Sequence, residues 1–141
     1  MAVPIALPLI VPWGRAARAL LPCAMLWLGS CDSQLDRPAS FNYVHSAIFA
    51  PGCATASCHS SSQAIEDIDL SDKAAAYRSL TGVNCGEDDP SLYVNTDDPD
   101  RSAILSIMRS TGGDRMPPDV EPPAEEIALV ERWIAEGAPC N

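Results

Sequence analysis

The segment Cys53-Ala54-Thr55-Ala56-Ser57-Cys58-His59 restricts this chain more than any other feature, because it confines two thiols and an imidazole to one short stretch with only small side chains between the thiols. Pro51-Gly52 directly before it are set to stop a helix arriving from the N-terminal side. What such thiols become depends on the redox compartment, so the leader has to be read first. From Met1 to Ser30 there is no acidic residue, 21 of the 30 residues are apolar, and the only charges, Arg15 and Arg18, precede the apolar run from Ala19 to Leu28. A basic region followed by roughly ten apolar residues is laid out as an export signal and is too short for a permanent membrane span. The prefix Met1 to Gly14 carries Pro4, Pro8 and Pro12, which makes it a poor helix; it reads as an extended n-region or a start site placed too early.

The apolar run closes in Leu28-Gly29-Ser30-Cys31, which resembles the bacterial lipobox. That resemblance implies diacylation of Cys31 as the first residue of the mature chain; plain secretion, with Cys31 unlipidated, is the alternative. Either way the mature protein is expected outside the cytoplasm, on the periplasmic side of the cell envelope, with a lipid anchor to a membrane in the first case. Residues 1–30 are read as the signal peptide, 31–40 as a linker and 41–141 as one domain. The whole chain has a net charge of -10, and loss of the leader leaves 7 basic and 19 acidic side chains, a balance of -12. Nucleic acid and anionic lipid headgroups are held by clustered Lys and Arg, so neither is expected as a partner surface, and a protein partner should present a basic face.

Export decides how the six cysteines divide. Cys23 leaves with the signal and Cys31 is the lipid site, so Cys53, Cys58, Cys85 and Cys140 remain. Covalent c-type haem attachment needs one thiol for each of two vinyl groups and an imidazole directly after the second thiol, all of which this segment supplies. The common spacing is C-x-x-C-H, in which the first cysteine would fall at Thr55; here it is C-x4-C-H. Small residues at 54–57 allow the longer loop to bulge away from the macrocycle edge. Three other readings stay open at this point: a local Cys53–Cys58 disulfide, a zinc site with His59 and Cys85, and unrelated structural thiols. Zinc is disfavoured because the side chains of adjacent Cys58 and His59 diverge and no second C-x2-4-C pair follows.

If His59 occupies one axial position of an iron, the other needs a thioether or a nitrogen donor, and the mature chain offers Met108, Met116 and His45. Met116 stands in Gly112-Gly113-Asp114-Arg115-Met116-Pro117-Pro118, a stiff, extended loop that can reach across a site. Met108 lies in the periodic run Ile104, Leu105, Ile107, Met108, which reads as core, and His45 reads as a half-buried polar residue on the first helix. Ligation by Met116 is preferred, with His45 or an open, water-filled position as alternatives.

Four short helices joined by long loops account for the rest. Phe41, Val44 and Ile48 predict a helix over 40–50 with Ser40 as N-cap. A second should run from Asp72 to Leu80, capped by Ser71 and ended by Gly82, and a third from Asp98-Pro99 through Met108 to Ser110. The last spans Ala124 to Glu136 with Ile127, Val130, Trp133 and Ile134 on one face and Gly137 as its stop. No strand pattern is longer than Leu92-Tyr93-Val94.

A helix leading into a cysteine-cysteine-histidine motif, an Arg-Met-Pro loop and the closing helix Glu126-Ile127-Ala128-Leu129-Val130-Glu131-Arg132-Trp133-Ile134-Ala135-Glu136-Gly137-Ala138 resemble small class I c-type cytochromes over residues 41–139. The resemblance implies an all-α domain built around one covalent haem, with terminal helices packed together. Carried over, Cys53 and Cys58 are the thioether anchors, His59 the proximal ligand and Met116 the distal one. It implies a single-electron carrier for redox partners rather than an enzyme. A haem-free, disulfide-stabilised lipoprotein acting as a binding or structural module, or the haem subunit of a larger oxidoreductase, are the alternatives. Cys85 and Cys140 fall outside the common family pattern. In an exported chain they are expected to pair rather than stay free, and such a crosslink contributes about 3 to 4 kcal/mol on the chain-entropy model. Asp88-Asp89 and Asp97-Asp98-Pro99-Asp100 lack calcium-loop spacing and read as turns and caps. With only two histidines, no Ser-His-Asp arrangement is supported.

Overall fold

The computed structural model describes residues 37–141, a helical unit in which no strand occurs among the described residues. The leader, the lipidation site Cys31 and the first part of the linker lie outside the described residues. Helix α1 covers residues 41–52: Phe41–Val44 and Ala50–Gly52 are α-helical, and His45–Phe49 between them is a π-helical turn. Helix α2 is Lys73–Thr81, α3 is Ala103–Arg109 and α4 is Ala124–Ala135, with short 3-10 turns at Ile65–Asp67 and Pro99–Arg101. No helix among the described residues is long and apolar enough to cross a membrane.

The first amides of a helix lack intrahelical acceptors. In α1 they find three elsewhere: Phe41 N–H donates to Asn141 Oδ1 at 3.0 Å, Asn42 N–H to the Asn141 carbonyl at 2.7 Å and Tyr43 N–H to Ser40 Oγ at 3.3 Å. The C-terminal tail thus helps to cap the first helix. The π turn inserts one residue, so that Phe49 follows Val44 on the buried face beside Ile48. Pro51 and Gly52 do not stop α1 in advance, as the sequence suggests, but form its last turn, where the missing proline N–H costs only one bond to the preceding turn.

Two other boundaries differ from expectation for equally local reasons. The N-cap of α2 is Asp72, not Ser71: its Oδ1 accepts from Ala74 N–H at 2.9 Å and Ala75 N–H at 3.1 Å, while Ser71 is occupied with Asp69. The third helix does not run unbroken from Asp98, because Ser102 is extended, buried and accepts from Asn95 N–H through Oγ at 2.8 Å. That bond satisfies a buried hydroxyl and splits the segment into a 3-10 turn and α3. The ends of α2 and α4 follow the sequence closely: Gly82 takes φ +78° and Gly137 φ +92°, both in the left-handed region.

The core forms where α1 meets α2 and α4. Phe41 and Trp133, both fully buried, have ring centroids 5.1 Å apart, and Tyr77 stands edge-on to Phe41, also at 5.1 Å. The polar tips of these rings are bound to the tail: Tyr77 Oη donates to the Ala138 carbonyl at 2.9 Å and Trp133 Nε1 to the Pro139 carbonyl at 3.0 Å. A disulfide joins Cys85 to Cys140, with Cα atoms 5.3 Å apart, and fixes the loop after α2 to that same tail.

Burial holds the Tyr77 phenol above its usual titration range. A phenol whose folded pKa is raised stabilises the fold below its unfolded value near 10, and this contribution is lost as pH rises through the folded value. Wild-type stability should therefore fall above about pH 10, and Tyr77→Phe should flatten this decline while lowering stability by about 1–2 kcal/mol at neutral pH through the orphaned Ala138 carbonyl. Denaturant titrations at pH 7 and pH 11 check this; equal pH dependence in the two proteins would refute it.

Candidate functional site

A cavity of about 500 Å³ opens between the end of α1, the loop after Cys53, α3 and the proline-rich loop before α4. Its volume lies within the range of roughly 300–1,000 Å³ in which small molecules and cofactors are held. The walls are largely apolar side chains, among them Phe49, Leu80, Ile104 and Ile107. Cys53, Cys58, His59 and Met116 all line it. The residues selected from spacing and ligand chemistry thus share one wall system, although Met116 is remote from the others in sequence.

The loop carrying the thiols is built from tight backbone bonds. Cys53 N–H and Ala54 N–H both donate to the Phe49 carbonyl, at 2.9 and 3.0 Å, which is how the helix end unwinds. Cys58 N–H then donates to the Thr55 carbonyl at 3.0 Å and His59 N–H to the Cys53 carbonyl at 3.2 Å. This closes the four-residue spacer into a compact turn, with Thr55, Ala56 and Ser57 exposed. Both thiols are free, so the local Cys53–Cys58 disulfide is not formed. Among the described residues no group of three or more His, Cys, Asp and Glu converges as an ion site, and Cys85 is committed to Cys140, which removes it from the zinc arrangement considered above.

The two thiols differ electrostatically. Burial pushes the Cys53 thiol up to about 11, with the Glu126 carboxylate and Cys58 adding to the effect. Side-chain hydrogen bonds from Thr55 and Ser57 hold the Cys58 thiol below its ordinary value. Cys58 therefore has the larger thiolate fraction near neutral pH and is the more nucleophilic of the pair.

His59 Nδ1 donates to the Ile68 carbonyl at 3.2 Å, and the His59 carbonyl accepts from Leu70 N–H at 2.8 Å. A carbonyl can only accept, so Nδ1 carries a proton and, in the neutral imidazole, the lone pair is on Nε2. This is the tautomer a metal-ligating imidazole needs, with a carbonyl that orients the ring. The other histidine is arranged differently: His45 Nε2 donates to the Leu70 carbonyl at 3.1 Å, and His45 does not line the cavity. It takes no part in the site.

Met116 is 41% exposed at the cavity edge, and its amide donates to the Ile107 carbonyl at 3.3 Å, which docks the loop on α3. Met108, read from sequence as core, is buried and lines the cavity as well, so two thioethers border the same space. Sequence periodicity reports only that Met108 faces inward, not that the interior there is a cavity. Glu126, in the first turn of α4, and the Ile68 carbonyl were likewise unmarked. The carboxylate could have been noticed because Pro122-Pro123 fix where α4 begins, whereas a backbone acceptor leaves no trace in residue identity.

The apolar walls, the paired thiols, the oriented imidazole and the thioethers are the donor types that a covalently bound haem would need. No family model matches the chain, and neither a curated protein nor a solved structure does.

Proposed function

We propose that the chain is an exported mono-haem c-type cytochrome, with a class I-like helical arrangement and a lipid anchor at Cys31, that carries single electrons on the periplasmic side of the cell envelope. The observation that supports this reading is the convergence of Cys53, Cys58, His59 and Met116 on one largely apolar cavity, with the His59 ring held through Nδ1. When bound, haem would supply the one-electron ferric–ferrous couple. Cys53 and Cys58 would hold it through thioethers, His59 as proximal ligand and Met116 as distal ligand.

The chain's own contributions follow from these surroundings. Ile68 fixes the imidazole orientation through its carbonyl. Phe49, Leu80, Ile104 and Ile107 exclude water from the interior, which disfavours the more highly charged oxidised state. A thioether donated by Met116 would act in the same direction, so the potential should exceed that of a bis-histidine site. The net charge of -12 that remains after loss of the leader favours partners with a basic docking face, with an encounter rate that falls as salt is added.

The direct test is expression of the full chain with a periplasmic haem-attachment system. We expect a Soret band that stays with the polypeptide after denaturation, together with an intact mass raised by one haem. A correctly folded, exported chain whose intact mass lacks the haem increment would overturn the reading in favour of the haem-free module.

A further inference from the structure

The loop that presents Met116 is poor in backbone donors, because Pro117, Pro118, Pro122 and Pro123 have no N–H. Arg115 makes up the deficit with its side chain: Nε donates to the Pro117 carbonyl at 3.4 Å and a terminal guanidinium nitrogen donates to the Pro118 carbonyl at 3.1 Å. Its own amide donates to the Gly112 carbonyl at 3.2 Å, so this one residue ties both sides of Met116 together. Arg115 is half-buried as a residue, and its guanidinium forms a planar fork that two successive carbonyls can share, a geometry a lysine ammonium cannot reproduce.

We propose that Arg115 is a positioning residue that holds the Met116 thioether at the cavity. This rests on the reading of Met116 as the distal ligand. Without the fork, the loop from Gly112 to Pro118 retains the Met116–Ile107 backbone bond at 3.3 Å as its tie to α3, while Met116 already stands at the exposed edge. The side chain then leaves the cavity part of the time, and an external ligand gains access. Arg115 lies outside the core around Phe41 and Trp133, so its loss should leave global unfolding nearly unchanged.

The test compares Arg115→Ala, Arg115→Lys and Met116→Ala with wild type, using imidazole as the external ligand and hydrogen exchange of the Met116 amide as a readout that does not need haem. For Arg115→Ala we expect unaltered covalent haem content and melting temperature, exchange of the Met116 amide faster by about tenfold or more, and imidazole affinity raised toward that of Met116→Ala. Arg115→Lys should fall between, because one ammonium replaces a two-pronged donor. Unchanged exchange and unchanged imidazole affinity in Arg115→Ala would overturn the role of Arg115 while leaving Met116 intact as ligand. If Met116→Ala itself leaves imidazole affinity unchanged, Met116 is not the ligand and the positioning role fails with it. If wild type carries no haem, the exchange data alone decide whether Arg115 holds the loop, and the cytochrome reading fails separately.

Discussion

Replacing His59 by Ala should reduce the covalently haem-loaded fraction to about a hundredth or less, whereas replacing His45 by Ala should leave it unchanged. The chain has two histidines, each half-buried and each bound through one ring nitrogen to a carbonyl, Ile68 for His59 and Leu70 for His45. The structural cost of the two substitutions is therefore similar, about 1 kcal/mol for a lost hydrogen bond, and both variants should fold. They differ in position, because only His59 lines the cavity and stands next to the more nucleophilic thiol of Cys58. Loss of only the outer partner of a metal-bound histidine costs about 10–100-fold, so loss of the imidazole itself should cost more. Soret absorbance per chain, with circular dichroism as the check on folding, measures the difference. Equal haem loading in the two variants would sink the assignment of His59.

The same pair of histidines shows how far residue identity alone carries. Adjacency to Cys58 was enough to select His59, since covalent attachment and axial ligation must share one turn. The acceptor that sets its tautomer was invisible, because Ile68 acts through its backbone and is brought there by the 3-10 turn at Ile65–Asp67, in which Glu66 and Asp67 adopt left-handed φ values. Helix identity was legible where caps and periodicity agreed, as at Ser40 and Gly82. It was less so where tertiary contacts chose between neighbours. Ser71 and Asp72 are both competent N-caps, and the choice fell to Asp72 because Ser71 binds Asp69. Nothing in the spacing Phe41, Val44, Ile48 announces a π turn, which is stable here because it buries Phe49 against the core and the cavity. The Arg-Met-Pro sequence marked a stiff loop, yet which atoms stiffen it emerged only from the fork of Arg115 on two proline carbonyls.

Removing the Cys85–Cys140 disulfide should cost a large part of the domain's stability while leaving the site's own residues untouched. The bond joins residues separated by 55 positions, and closing a loop of that size restricts the unfolded chain by about 4 kcal/mol on the entropy model. A small domain has only about 5–15 kcal/mol in total, so much of its margin depends on this one crosslink. The folded state loses less than the unfolded state gains: the tail keeps its bonds from Tyr77 to Ala138, from Trp133 to Pro139 and from the first amides of α1 to Asn141. Neither cysteine lines the cavity, so haem attachment should survive in chains that fold. The Cys85→Ser/Cys140→Ser double variant should melt roughly 15–30 °C below wild type, at about 4–8 °C per kcal/mol for a domain of this size. Reductant added to wild type should reproduce most of that shift and have no effect on the double variant. A melting temperature within a few degrees of wild type would mean that the tail contacts around Tyr77, Trp133 and Asn141, rather than the covalent bond, hold the C-terminus on the core.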